Sequence, residues 1–531
     1  MKKQTKLRIV VWPFFIITSL FIMLLMQYTD FMPRLKVNYG ESEMVNENIN
    51  TGKTVLDAKT KYQTLNGFGA SGAWWAQQVG GWENCEDILT YLYDGEKGIG
   101  LNIYRYNLGA GSENDEHIYV KNNRTECFLQ ENGEYDFTKD ANAQNALATA
   151  RKLAGDDLRV VLFANSAPVS LTENGHAYCS APETDNAPLV SNLAADKYDD
   201  YADYMYKCAE YFVNNGYRVT GVSPVNEPQY AWRAWYNADG TYSMNQEGCH
   251  YDVWQVRDLM IKMVERFQYS LLDFKGVKVE MFESGELEGA NTRSDYYMEA
   301  SIGTGSSFRK GNWKLRKYFD TLSYHSYWSS KETKQAAMEL MADKYPHYKI
   351  ACTEYCQMTN DRNTGVFDII ESEGVTNGMG MNFALAMANT VMTDLTVVNA
   401  VEWNWWLGCS YGVYPDGLVY INANNHKDVQ TSKRLWCLGN FSKFINEGAV
   451  RLACSSGVEG IECVAFKNTD KSVAIVYINN ADEAKSTSLD NLSGSMTAYL
   501  TDEAHDLEES ALIEGGTLTL PAKSVVTVVL A

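Results

Sequence analysis

The chain is poor in the residues that hold metals or grip polyanions. Only 7 of its 531 residues are histidine, and none stands in an H-x-x-x-H or two-His-one-carboxylate spacing, so neither a catalytic metal nor another cofactor is expected. The 11 cysteines are scattered, with no C-x-x-C pair and no Cys/His cluster, which argues against a zinc-binding module or a dithiol redox site. Most are expected to be buried thiols, although Cys454 and Cys463, around a Ser-Ser-Gly turn, could pair in an oxidising compartment. No basic run follows the N-terminus and the net charge is −21. Phosphate and sulfate are gripped chiefly by Lys and Arg, so nucleic acid and sulfated glycans are excluded and a neutral partner is expected. No internal repeat is evident, and no glycine-rich phosphate loop is expected, which disfavours a doubly wound open sheet, the alternative to a barrel.

What the chain does have is aromatic rings, 13 Trp and 34 Tyr among them. Sugars present flat C–H faces that stack on such rings, and rings also serve as core. At its start, Lys2, Lys3, Lys6 and Arg8 precede an apolar stretch from Ile9 to about Tyr28, broken only by Pro13, Thr18, Ser19 and Gln27. A stretch of about 20 residues can span a bilayer, and the leading cations orient the rest of the chain outward. Residues 1–30 are therefore expected to be a signal anchor, with a cleaved signal peptide as the alternative, and the chain to work outside the cell. Residues 31–52 are polar and aperiodic, as in a tether.

From residue 53 onward, apolar strand-like runs alternate with amphipathic helical ones. The expected strands are Leu65–Ala70, Gly100–Leu108, Leu158–Ala164, Tyr217–Glu227, Val277–Phe282, Phe319–Tyr327, Tyr348–Glu354 and Thr396–Trp406. Helices are expected at Ala141–Leu153, Tyr198–Asn214, Tyr251–Leu272, Lys331–Lys344 and Thr376–Met392. Strict alternation implies parallel strands joined by crossover helices, and eight strands is the number that closes a (β/α)8 TIM barrel. From about Gly448 the pattern becomes short strands between turn residues, as in an antiparallel sandwich, and Thr54–Ala58 is expected to add a strand to it. The expected organisation is thus an α/β barrel over 67–439 with a side β-sandwich domain from both chain ends, 53–66 and 440–531.

In a parallel barrel the functional groups gather at the C-terminal strand ends. Two glutamates stand there in telling contexts: Glu227 in Ser223-Pro-Val-Asn-Glu-Pro228, and Glu354 in Thr353-Glu-Tyr355. Two carboxylates on one rim are what glycosidic hydrolysis by an acid and a nucleophile requires. Asn226 is placed to bond a sugar hydroxyl, Arg105 to pair with Glu354, and Tyr327 to donate to it. Asn165 and His325 also fall at strand ends, as do Trp74, Trp75, Trp232, Trp235, Trp403, Trp405 and Trp406, which together suit a wall for sugar stacking. Glu283 and Glu286 lack an Asn-Glu-Pro frame and are expected to contact substrate at most.

These segments, with Leu65-Asn-Gly-Phe-Gly-Ala-Ser-Gly-Ala-Trp-Trp-Ala76, Gly439-Asn-Phe-Ser-Lys-Phe-Ile445 and the closing Leu520–Leu530, resemble glycoside hydrolase family 30 from about residue 53 to the end. The resemblance implies a barrel with a side sandwich and a retaining double displacement, Glu227 being acid/base and Glu354 nucleophile. Within the family, the Trp-Trp pair, Asn165-Ser-Ala-Pro168 and Gln246-Glu-Gly-Cys-His250 look most like the branch acting on β-1,6-linked galactan, which has Asn-Ser-Pro-Pro at the second of these. The expectation is an extracellular endo-β-1,6-galactanase, monomeric and cofactor-free. The alternatives are a retaining glycosidase of other specificity (β-glucosidase or glucosylceramidase, β-xylosidase, xylanase) or a non-catalytic surface protein that binds glycans.

Overall fold

A computed structural model of the chain describes residues 50–181, 189–287, 293–303, 309–374, 377–422 and 424–531. The apolar N-terminal stretch and nearly all of the tether lie outside the described residues. Among the described residues no helix is long and apolar enough to cross a membrane.

The first strand, β1 (Val55–Thr64), belongs to the C-terminal sheet and is taken up below. The barrel follows in chain order. Its strands are β2 (Gly67–Ser71), β3 (Ile103–Asn107), β4 (Arg159–Phe163) and β5 (Arg218–Ser223); after a surface hairpin of β6 (Trp235–Tyr236) and β7 (Tyr242–Ser243) come β8 (Lys278–Val279), β9 (Thr321–His325), β10 (Lys349–Glu354) and β11 (Glu402–Ser410). Neighbours pair in parallel from β2 through β8, β9 pairs β10, β10 pairs β11, and β11 returns to β2. Between β8 and β9 the ring closes through the parallel bridge Ser284–Tyr324 and the bond from Ser323 N–H to Met281 O, 2.9 Å. Two further strands, β12 (Gly417–Asn422) and β13 (Asn425–Thr431), extend the sheet outward from β11.

Local chemistry sets the crossover helices. Val253–Phe267 starts at a capping box in which Asp252 and Gln255 satisfy each other's backbone N–H groups, and Ser330 caps Lys331–Lys344. Tyr198–Asn214 buries Tyr201, Met205, Cys208 and Phe212 on one face and places Asp199 and Asp200 at its positive N-terminal end.

Three sequence expectations change. Of the helix expected over Thr376–Met392, Thr376 lies outside the described residues and the helix found is Met381–Thr393. The Thr396–Trp406 run is not one strand, since Asp394–Val398 is a π-helical turn and β11 begins at Glu402. The buried Asp394, paired with Lys334 at 2.8 Å, anchors the end of that helix, and left-handed Asn399 (φ 57°) reverses the chain into the strand. The run Val277–Phe282 pairs as strand only at Lys278–Val279, because Phe282 (φ 66°) and Glu283 (φ 49°) turn left-handed. Lastly, Gly67-Phe-Gly-Ala-Ser-Gly72 does have the glycine spacing of a dinucleotide loop, but Gly67–Ser71 is strand β2 itself. Its glycines serve close packing: a Cβ on Gly69 would lie 2.7 Å from Ile103 Cβ, and one on Gly72 2.5 Å from the Tyr104 hydroxyl.

The sandwich strands are β14 (Val450–Ser455), β15 (Ile461–Lys467), β16 (Val473–Asn479), β17 (Lys485–Ser488), β18 (Met496–Thr501), β19 (Asp506–Ser510), β20 (Ile513–Glu514), β21 (Thr517–Leu520) and β22 (Ser524–Leu530). One sheet has the order β1-β14-β15-β16-β22-β18-β19 and the other β17-β21-β20. Alternation sorts β22: Val526 and Val528 join Leu518, Leu520 and Tyr477 between the sheets, whereas Val525 joins the barrel core and Thr527 bonds the Asn440 carbonyl of the helix Lys433–Ser442 at 2.6 Å. Cys454 and Cys463 face each other across β14 and β15 as free thiols, sulfur to sulfur 3.5 Å.

Candidate active site

The strand ends of β3, β5, β8, β9 and β10 converge on a buried cluster of charge. Glu227, expected to end the fourth barrel strand, instead lies four residues past β5, in the loop begun by Pro224. Pro228 disfavours the right-handed helical conformation at the residue before it, and Glu227 takes φ 43°. Its N–H donates to Glu283 O (2.8 Å) and its carbonyl accepts from the Trp232 indole (2.9 Å). Glu354, the last residue of β10, accepts from Arg105 Nη1 through Oε2 at 2.9 Å and from the Tyr327 hydroxyl through Oε1 at 3.0 Å. Between the two glutamates stands His325 at the end of β9, with Nδ1 3.1 Å from Glu227 Oε1 and 3.5 Å from Glu354 Oε1. One oxygen from each carboxylate and one nitrogen of this imidazole all lie within 4.8 Å of one another.

Glu283 completes the cluster from below. It accepts from His325 Nε2 (3.0 Å), from Ser223 Oγ (3.0 Å) and from Thr353 Oγ1, and lies 3.9 Å from Arg105 Nη2. Burial opposes its ionisation, but the His325 bond, the Arg105 charge and the Thr353 bond outweigh that and hold its carboxyl at about 2. For His325 burial opposes the charged ring, and the surrounding Glu354, Glu227 and Glu283 overcome it, raising the imidazole to about 10. The ring is therefore an imidazolium at neutral pH, donating from both nitrogens. Glu227 is shifted the other way: burial raises its carboxyl, Glu354 adds to the rise, and His325 and Arg105 moderate it. Arg105 and His325 thus lie against the three carboxyl groups of Glu227, Glu283 and Glu354. A carboxyl pushed upward by burial beside a second carboxyl bonded to a guanidinium is the pairing that an acid and a nucleophile need.

The residues singled out in the sequence divide into three groups. Glu227, Glu354, Arg105, His325 and Tyr327 come together as one hydrogen-bonded unit. Arg105, placed to pair with Glu354, does so, and it and His325 are fully buried against the carboxylates, Arg105 beneath the Phe163 ring at 4.3 Å. Asn226 and Asn165 sit at the same rim, and the buried Asn226 Oδ1, Asn165 Oδ1, Ser166 Oγ and Trp74 Nε1 have no partner among the described residues. Buried polar atoms without partners at the mouth of a barrel are where ligand hydroxyls bind. Trp74 and Trp232 line the rim half-buried, Trp74 edge-on to Trp406 at 5.3 Å.

Three expected rim residues are core instead, Trp75, Trp403 and Trp405, the last fully buried with its indole donating to Asp416 O (2.6 Å). The Trp75 indole donates to Ser71 O (2.7 Å) and packs on Tyr104, while Trp403 donates to Asp394 Oδ2 (2.9 Å) behind the barrel. Two features went unread. Glu283 is part of the charge cluster rather than a sugar contact, and Trp328, next to Tyr327 in sequence, is a half-buried ring 6.0 Å from Tyr230. Trp74, Glu227, Trp232, Phe282, Glu283 and Trp328 all have φ between 34° and 66°. Non-glycine residues in that region cost roughly 1–3 kcal/mol each and gather at working sites.

The motif Gln246-Glu-Gly-Cys249 has a supporting function. Buried Glu247 accepts from Ser112 Oγ (2.7 Å), Thr125 Oγ1 (2.6 Å) and Ala110 N–H, joining the loops after β3 and β5. A Cβ on Gly248 would lie 2.4 Å from the Trp232 ring, so glycine there lets that indole reach the rim.

Residues 51–420 match the profile described as O-Glycosyl hydrolase family 30, and residues 448–528 that of the family 30 beta sandwich domain. A curated endo-β-1,6-galactanase of Hypocrea rufa is 29% identical over 224 residues, which are 37% of this chain and 43% of that protein. The chain thus spans less than half the length of that relative. Among solved structures, a conserved exported protein from Bacteroides fragilis is similar at TM-score 0.73 and 25% identity, over 90% of this chain and all of the other. The catalytic domain of a family 30 xylanase from Talaromyces cellulolyticus shares the fold at TM-score 0.64 and 20% identity, covering 90% of this chain and 100% of that one.

Proposed function

This chain belongs to glycoside hydrolase family 30, and from that premise we propose that it is an extracellular retaining β-glycosidase cleaving β-1,6-linked galactan, with Glu354 as nucleophile and Glu227 as acid/base. The observation that carries the mechanism is the spacing: one oxygen of each carboxylate falls within a 4.8 Å cluster. Retaining enzymes hold their carboxyl groups about 5–5.5 Å apart, inverting ones about 6.5–9.5 Å to admit a water. Glu354, bonded to the Arg105 guanidinium, is the anion that attacks the anomeric carbon. Glu227, its carboxyl raised by burial, protonates the departing oxygen and in the second step takes a proton from water. The imidazolium of His325 lies against both carboxylates and stabilises the negative charge that passes between them.

Because burial raises the Glu227 carboxyl, the basic limb of kcat/KM against pH should lie above an ordinary glutamate's ~4.3. The limb should weaken for aryl glycosides whose leaving groups need no proton. A limb equally steep for activated and unactivated substrates would contradict the assignment.

Substrate class rests on different support. The aromatic rim and the acidic net charge suit a neutral glycan, and the galactanase relative together with the Trp-Trp pair and Gln246-Glu-Gly-Cys249 favours β-1,6-galactan. The solved relative described as exported agrees with a place outside the cell. A reducing-end assay on β-1,6-galactan, β-1,4-xylan, β-1,6-glucan and glucosylceramide tests the reading. Release from galactan is expected; activity confined to xylan or ceramide would replace the substrate and leave the mechanism standing.

A further inference from the structure

We infer that Tyr119 and Trp235 form a distal glycan-binding shelf, which holds the continuing polysaccharide chain beyond the units engaged by the two glutamates. The inference rests on the glycosidase reading but not on which neutral glycan is cleaved. Its starting point is the hairpin β6–β7, closed by the turn Asn237-Ala-Asp-Gly-Thr241, with Asn237 N–H bonded to Thr241 O at 2.7 Å. A two-stranded ribbon is marginal by itself. Here it is braced on several sides. Met244 bridges to Ile118, with Tyr119 N–H donating to Met244 O (3.1 Å) and Met244 N–H to His117 O (2.8 Å). Arg233 bridges to Cys179, and Ala234 N–H donates to Cys179 O (3.0 Å). Ile118, Tyr178, Ala234 and Met244 make a small core beneath it. The His117 ring stacks on Tyr242 at 4.0 Å, and Asp115 bonds both His117 and His176, tying the loop after β3 to the loop after β4.

On this rigid base the two aromatic rings face solvent: Tyr119 is 58% exposed and Trp235 41%. Tyr119 and Trp235 meet edge to face at 6.1 Å, which keeps both in place while leaving ring surface open. Exposed aromatic surface on a braced platform marks a binding site more often than an idle loop. Its position selects the occupant. All of the loops that build it leave the C-terminal ends of β3, β4 and β5, the end at which Glu227 stands. Trp232 joins shelf to cleft, since its indole bonds the Glu227 carbonyl and its ring packs on the shelf's small core, three residues before Trp235. A ligand that stacks on aromatic rings, carries no charge and continues outward from the carboxylates is the glycan chain itself. Rings held before binding lose little freedom on binding, so they favour affinity.

The test compares two substrates in one variant. In Tyr119→Ala/Trp235→Ala the ratio of kcat/KM on the polymer to kcat/KM on a matched aryl glycoside should fall about tenfold or more, through KM, an amount equal to one stacked ring worth about 1.4 kcal/mol. Retention of the same polymer in affinity electrophoresis, measured on Glu354→Gln with and without the two alanines, should fall in step. An unchanged ratio and unchanged retention would overturn the shelf while leaving the active-site reading intact. A wild-type chain that cleaves the aryl glycoside but no polymer would likewise overturn the shelf. If the wild-type chain cleaves neither, the function itself fails and takes the shelf with it.

Discussion

Replacing Glu354 by Gln should reduce kcat on every β-linked substrate by about 10⁴-fold or more, as for other residues that form the covalent bond. The amide keeps the shape of the carboxylate and an oxygen for the Arg105 bond now 2.9 Å long, but it cannot attack an anomeric carbon. Glutamine is the informative choice because Arg105 is fully buried. Stripping its hydrogen-bonded partner with an apolar residue would break a buried ion pair, at about 3–5 kcal/mol, and would confuse lost chemistry with lost folding. Calorimetry and circular dichroism should find Glu354→Gln folded. If the folded variant keeps activity within about tenfold of the wild type, Glu354 is not the nucleophile.

Replacing Glu227 by Ala should have an effect that depends on the leaving group. For natural glycosides, whose departing alkoxide needs a proton, kcat/KM should fall by roughly 10²–10⁴-fold, the usual worth of general acid catalysis. For aryl glycosides with acidic phenols the first step proceeds without help, and the glycosyl-enzyme accumulates because no base activates water. Azide needs no base, so it should restore turnover and yield a glycosyl azide of β configuration. An α-azide would imply a single displacement. A loss equal across all leaving groups would imply that Glu227 positions the substrate and is not the proton donor.

The sequence reached these two residues by different routes. Glu227 was legible from its Asn-Glu-Pro frame after an apolar run, and Glu354 from closing a strand further round the rim. Glu283 was not legible. It follows β8, where Phe282 and Glu283 take left-handed φ that turns the side chain toward Arg105 and His325, and nothing in Met-Phe-Glu-Ser announces that conformation. The tryptophans failed for a related reason. Trp74 and Trp75 are adjacent, and it is Trp74 φ of 34° that sends one to the rim and the other to the core. All nine residues of β11 are buried, so no alternation marks Trp403 as facing the helices. The Thr-Val-Val run after Asp394 looked like strand by propensity, and the Lys334–Asp394 ion pair made by packing decided for a helical turn instead.

Taken alone, then, the sequence determined the alternation of strands and helices, the change to short antiparallel strands after the barrel, and the placing of two glutamates at strand ends. These are set by periodicity and turn chemistry over a few residues, and such patterns are local. Only the tertiary structure decided which of the charged groups work together. Ring closure brings Arg105 of β3, Glu283 after β8, His325 of β9 and Glu354 of β10 within bonding reach, and their protonation follows from burial and mutual charge. Those quantities depend on neighbours up to 249 positions away in the chain, and no reading of residue spacing contains them.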